Sequence, residues 1–208
     1  MKKIGIMGGT FDPIHRGHLM LGKQAYEEYG LDCVWYMPSK TPPHKKDHTI
    51  TPEEDRCAMI RAAIRPFPYF SLSEFELCRN GGNTYTADTL RLLKEAYPDI
   101  SFSFIVGADS VFDIEKWYHP EYVLKAVPFM AARRESGTRN RSLEEQIRYL
   151  EETYGARILR LHCREMDVSS VEIRRRLKQG DSVAEFLPAE VTEYIRSHAL
   201  YEESTEIL

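Results

Sequence analysis

Two imidazoles three residues apart, just beyond a glycine pair, are the side chains of this sequence best suited to chemistry: Gly8-Gly9-Thr10-Phe11-Asp12-Pro13-Ile14-His15-Arg16-Gly17-His18. Glycines after a strand let the backbone come close to a ligand. A helix opening beyond them presents unpaired N–H groups and the positive end of its dipole to phosphate oxygens. His15 and His18, at i and i+3, project from one side of the first helical turn, and Gly17 between them leaves room for a bulky ligand. Read structurally, the same residues make only a tight turn and a packed helix start. A zinc site does not fit, because no third ligand lies nearby and H-E-x-x-H is missing. Neither G-x-G-x-x-G nor the G-K-[ST] of a P-loop occurs here, so hydride transfer and P-loop phosphoryl transfer do not fit either.

Four further segments gather polar groups. Ser39-Lys40-Thr41-Pro42-Pro43-His44-Lys45-Lys46 concentrates positive charge on a chain of net charge -4, and its prolines lower the entropy cost of ordering it on a ligand. Thr84-Tyr85-Thr86 opens a helix whose hydroxyls and N–H groups suit an anion or a simple cap. Gly107-Ala108-Asp109 sets a carboxylate after the most apolar strand, for ribose hydroxyls or for an N-cap. Ser169 and Ser170 begin a helix with Glu172 at capping-box spacing and Arg174 one turn on, suited to an ordinary cap or to gripping phosphates.

The elements that must position these groups alternate along the chain. Strands are expected at Lys3 to Gly8, Cys33 to Met37, Tyr69 to Leu72, Phe102 to Val106, Val127 to Ala131 and Ile158 to Leu161. Helices are expected from the His15 turn to Tyr29, from a Thr51 capping box to Ile64, over Thr86 to Ala96, over Ser142 to Tyr154, from Ser169 to before Gly180, and from Pro188 to Ser197. This alternation predicts an α/β fold of Rossmann-like, doubly wound type, a parallel sheet covered on both faces with helices closing the chain. Such sheets bind ligands beyond the carboxyl ends of their strands, and Gly8 to His18, Ser39 to Lys46, Gly107 to Trp117 and the Arg133-Arg134 turn fall just after expected strands.

The 208 residues suit one domain, with an α/β nucleotide-binding core over 1–165 and a helical part over 166–208. The acidic balance argues against a nucleic-acid partner, and no apolar run approaches the roughly 20 residues of a membrane span, so a cytoplasmic protein is expected. Cys33, Cys57, Cys78 and Cys163 are scattered without a C-x-x-C pair, which suits reduced thiols.

GGTFDPIHRGH resembles the signature of the HxGH nucleotidylyltransferase superfamily. Together with SKTPPHK at 39–45, TYTADTL at 84–90, GADSVFDIEKW at 107–117, VSSVEIR at 168–174 and LPAEVTEYIRSHALY at 187–201, it is similar to the bacterial nicotinate-nucleotide adenylyltransferase family over nearly the whole chain. The resemblance implies adenylyl transfer from ATP to nicotinate mononucleotide, giving deamido-NAD and pyrophosphate in NAD biosynthesis. Mg2+ would enter mainly on the ATP phosphates, with no protein metal site, and a homo-oligomer is compatible with it. It implies catalytic roles for His15 and His18, and ATP binding by Gly8, Gly9, Thr10, Phe11, Gly107, Asp109, Arg133, Ser169, Ser170 and Arg174. Ser39, His44 and Lys45 would take the acceptor's phosphate, while Thr84, Tyr85, Thr86 and the backbone near Trp117 and Tyr118 would take its nicotinate carboxylate, with Trp117 stacking on the ring. Val171 stands where the family has Thr, and Arg133-Arg134-Glu135 replaces Arg-Pro-Gly.

Overall fold

The computed structural model describes residues 1–40, 50–79, 84–133, 141–164 and 166–202, with the side chains of Arg133 and Arg164 outside that description. Its strands are β1 (Lys2–Gly9), β2 (Cys33–Pro38), β3 (Phe70–Leu72), β4 (Ile100–Val106), β5 (Phe129–Arg133) and β6 (Ile158–Arg164). They form one parallel sheet in the order β3-β2-β1-β4-β5-β6, with Ile6 level with Trp35 on one side and with Phe104 on the other. The helices are α1 (Arg16–Tyr29), α2 (Glu53–Ile64), α3 (Thr86–Ala96), α4 (Ala108–Asp113), α5 (Pro120–Ala126), α6 (Leu143–Tyr154), α7 (Ser170–Lys178) and α8 (Ala189–Ser197).

Period-two alternation sorts the strand residues onto two cores. Ile4, Ile6, Phe102, Phe104 and Phe129 pack on one face with Leu90, Val123 and Ile147 from α3, α5 and α6. Met7, Val34, Tyr36, Ile105 and Met130 pack on the other with Leu21, Ile60, Ile173 and Val191 from α1, α2, α7 and α8. The closing helices therefore share a core with the opening strand. No described helix is long and apolar enough to cross a membrane.

The expected α/β architecture stands, with local corrections. Thr51 does not cap α2: Pro52 is the N-cap residue without a side-chain cap, and the Thr51 carbonyl instead accepts from Arg56 Nε at 3.0 Å. β5 begins two residues later than its apolar run suggests. Pro128 has no N–H for the ladder and contributes only its carbonyl, to Phe104 N at 2.8 Å. Between β4 and β5 the chain makes α4, a 3-10 turn over Ile114–Lys116, and α5, pieces too short for a clear 3.6-residue pattern. β6 runs three residues past Leu161, to Arg164. The Ser142 and Glu145 capping box of α6 forms as expected, and Gly30 ends α1 at φ 56.

Candidate active site

From β1 the chain turns to α1 on one face of the sheet; from the adjacent β4 it turns to α4 and α5, which serve the other. Parting connections leave a crevice beyond the carboxyl ends of these two strands. A cavity of about 550 Å³ lies there, walled by the ends of β1 and β4, the start of α1, the start of α3, the 3-10 turn and the start of α7.

Gly8, Gly9, Thr10, His15 and His18 all line it. The glycines are needed for packing as much as for ligand approach. A Cβ on Gly8 would sit 2.8 Å from Phe104 Cζ, and one on Gly9 3.3 Å from Phe11 Cζ. Gly17 also lines the cavity, and a Cβ there would lie 3.0 Å from His15 Nδ1 and 3.1 Å from Val168 Cγ1, so its lack of a side chain also makes room for the chain's own imidazole and valine.

His15 is the N-cap residue of α1, and its backbone N–H donates to His18 Nδ1 at 3.2 Å. With Nδ1 accepting, the neutral His18 ring carries its proton on Nε2. The two rings stack with centroids 3.7 Å apart and planes at 26°, and Phe11, held at φ 52, meets His18 edge-on at 5.0 Å. His15 Nδ1 is buried with no hydrogen-bond partner among the described residues. Burial pushes this imidazole down to about 4, so it is neutral near pH 7.

The signature loop is bolted from beneath. Asp12 is fully buried and accepts from the Tyr201 hydroxyl at 2.7 Å. Arg56, 1% exposed, donates from Nη1 to the Thr10 carbonyl at 2.8 Å, and Ser170 Oγ donates to the Pro13 carbonyl at 3.0 Å. Arg174, expected at the phosphates, points into this underside: its Nη1 donates to the Asp12 carbonyl at 2.5 Å and lies 3.8 Å from Asp12 Oδ2. It does not line the cavity, and Phe11 supports the floor without lining it. Ser169 and Ser170 do line it, with Ser169 Oγ capping Glu172 N at 3.2 Å.

At the opposite end, Thr84, Tyr85 and Thr86 enter α3, with Tyr85 as N-cap residue and no side-chain cap. Trp117 and Tyr118 follow the 3-10 turn; Tyr118 packs on Tyr85 at 4.5 Å, and Trp117 meets Phe104 edge-on at 6.3 Å. Glu115 ties the turn to α6 by accepting from Tyr149 and Tyr154 hydroxyls, each at 3.1 Å. Gly107 is the N-cap residue of α4, Asp109 lies in its first turn, and both line the cavity. Ser39 joins them, its N–H donating to the Gly9 carbonyl at 2.9 Å. His44, Lys45 and the side chain of Arg133 lie outside the described residues.

Glu76 also lines the cavity, and nothing in the sequence singles it out. It is 8% exposed and hydrogen-bonded to the hydroxyls of Thr84 and Thr89, the latter at 2.6 Å, and burial pushes its carboxyl up to about 7. Its partners sit eight and thirteen residues on in the chain, so only the folded approach of α3 reveals the group.

Residues 6–176 match the family model described as cytidylyltransferase-like. The chain is 45% identical to a probable nicotinate-nucleotide adenylyltransferase of Lachnoclostridium phytofermentans, over 97% of this chain and 100% of that one. It is 41% identical to a protein of the same description from Bacillus cytotoxicus, with coverage of 97% and 100%. Among solved structures, a Plasmodium falciparum nicotinic acid mononucleotide adenylyltransferase complexed with NaAD superposes with a TM-score of 0.78 at 21% identity, covering 97% of this chain and 98% of that one.

Proposed function

This chain belongs to the nicotinate-nucleotide adenylyltransferase family of cytidylyltransferase-like proteins, and from that premise we propose how its cavity carries out the reaction. It transfers the adenylyl group of ATP to nicotinate mononucleotide, forming deamido-NAD and pyrophosphate. The observation that carries the assignment of roles is that the stacked imidazoles and the Thr84–Trp117 platform share one cavity at the junction of β1 and β4.

The triphosphate lies over Gly8, Gly9 and Thr10, facing the start of α1 and the Ser169–Ser170 start of α7, where N–H groups and hydroxyls meet anionic oxygens. His18 Nε2–H donates to the phosphates as charge shifts onto the departing pyrophosphate. His15, neutral and stacked on it, holds that ring in its tautomer through the backbone N–H to His18 Nδ1. Asp109 takes ribose hydroxyls. Arg133 serves the adenine side. Arg174, through Asp12, keeps the loop in place.

The acceptor's phosphate oxygen is already anionic near neutral pH, so positioning replaces a strong general base. Ser39, with His44 and Lys45, receives that phosphate. The N–H groups of the first turn of α3, with Thr84, Tyr85 and Thr86, receive the carboxylate, and Trp117 with Tyr118 covers the cationic ring. Mg2+ would be carried on phosphate oxygens and water, where it would neutralise charge.

Purified protein given ATP, Mg2+ and nicotinate mononucleotide will release pyrophosphate, and nicotinamide mononucleotide will be a much poorer acceptor. Equal rates with both acceptors would refute the carboxylate site.

A further inference from the structure

Glu76 stands where a second carboxylate is least welcome. It lines the same cavity as Thr84, Tyr85 and Thr86, beside the helix start assigned to the acceptor's carboxylate. Two negative charges at one helix N-terminus in a buried setting repel each other and compete for the same donors. The hydrogen bonds around Glu76 allow it to lose its charge without breaking the network. Thr89 Oγ1 lies 2.6 Å from Glu76 Oε1, 3.2 Å from the Tyr85 carbonyl and 3.2 Å from Arg79 Nη1. A hydroxyl has one hydrogen to give. With Glu76 protonated, its O–H donates to Thr89 Oγ1 and the Thr89 hydrogen goes to the Tyr85 carbonyl. With Glu76 ionised, Thr89 donates to Glu76, and the Tyr85 carbonyl keeps its helical bond from Thr89 N at 3.0 Å.

We propose that Glu76 is a proton-linked specificity residue: the pyridine carboxylate binds together with one proton taken from solvent onto Glu76, so preference for acid over amide acceptors is strongest at low pH. The proposal rests on the reading that the carboxylate meets the start of α3. An amide acceptor brings no charge and needs no proton.

The other charges around Glu76 are committed elsewhere. Among the described residues, Arg79 is the charged group acting directly on it, and its guanidinium donates to Thr89. Lys40 Nζ donates to the carbonyls of Leu77 and Arg79 at 3.0 and 2.8 Å. Asp88 on α3 pairs with Arg91 at 3.8 Å, and Glu74 pairs with Arg61. Across the cavity stand Asp109, in the first turn of α4, and the imidazoles of His15 and His18. The carboxyl of Glu76, raised by its burial to about 7, titrates where this exchange can be read.

The test is the ratio of kcat/KM for nicotinate mononucleotide to that for nicotinamide mononucleotide, measured from pH 6 to pH 8 in wild type and Glu76→Gln. The phosphates common to both acceptors cancel in the ratio. In wild type it should fall by about tenfold across this range, one proton per unit of pH above the midpoint. In Glu76→Gln, similar in shape and always neutral, it should stay level within about twofold. A parallel fall in the variant, or a level wild-type ratio, overturns the proposal. Equal use of both acceptors by wild type at pH 6 overturns the carboxylate site itself and the proposal with it. Should Glu76→Gln fail a melting test of folding, calorimetry of wild type at pH 7.5 in two buffers of different ionisation enthalpy decides. Most of one proton taken up with the acid and none with the amide supports the linkage; equal uptake overturns it.

Discussion

The two ends of the cavity solve the same problem with opposite chemistry. At the phosphate end burial keeps a base neutral, His15, stacked on the His18 ring. At the acceptor end burial keeps an acid half-protonated near neutral pH, Glu76, inside a ring of hydroxyls. Burial disfavours the charged form of both groups, but they respond to pH in opposite senses: His15 gains charge as pH falls and Glu76 as it rises. Arg56 and Arg174 serve the underside of the loop, donating to the Thr10 and Asp12 carbonyls.

The largest effect should separate the ends by rate. His18→Ala removes the donor facing the phosphates and should lower turnover by about 10² to 10³, with little change in acceptor KM. Steady-state assays alongside a thermal melt check this, and a variant with wild-type turnover would remove His18 from catalysis.

Next comes stability against pH. His15 has about 4 in the fold against 6.5 unfolded, so the unfolded chain binds the extra proton between these values. The stability from this site is whole above pH 6.5 and falls as pH drops towards 4, by ~2 kcal/mol between pH 7 and pH 5. Glu76 works the other way: raised from 4.5 to about 7, it contributes fully below pH 4.5 and loses its contribution as pH rises towards 7. Urea titrations of wild type and His15→Asn at pH 7 and pH 5 should show the acid-side loss shrinking in the variant. An unchanged loss would place the acid sensitivity elsewhere.

The first end was the more legible in the sequence, and the reason is range. The glycines, His15 and His18 act within one turn of chain, and a strand followed by a helix fixes their relative positions. Glu76 depends on Thr84 and Thr89, eight and thirteen residues on in the chain, a contact that no local period encodes. Arg174 was legible as a cation near a helix start, but its aim at Asp12 is set by how α7 packs under the loop. Gly17 shows the same limit, its missing Cβ serving His15 and Val168. The sheet was readable from apolar runs, while α4 and α5, six and seven residues long, left no period to count.

Smaller effects sharpen the contrast between ends. Trp117→Ala should raise KM for the acceptor about tenfold while leaving KM for ATP nearly unchanged, since stacking on a ring contributes ~1 to 2 kcal/mol. Equal changes in both constants would mean that the indole serves the whole cavity. Tyr201→Phe removes a donor from buried Asp12 and should cost ~1 kcal/mol of stability, read as a lowered melting temperature with some loss of turnover. No change in either would show that Asp12 does not depend on the Tyr201 hydroxyl.

The division of labour is tested most directly by NMR of protein labelled with 15N in imidazole and indole rings. At pH 7 both His15 and His18 should appear neutral, with His18 Nδ1 unprotonated; a non-hydrolysable ATP analogue should shift both rings, and nicotinate mononucleotide alone should shift the Trp117 indole and leave them in place. A charged His15, or imidazoles that answer the acceptor and ignore the triphosphate, would contradict the account.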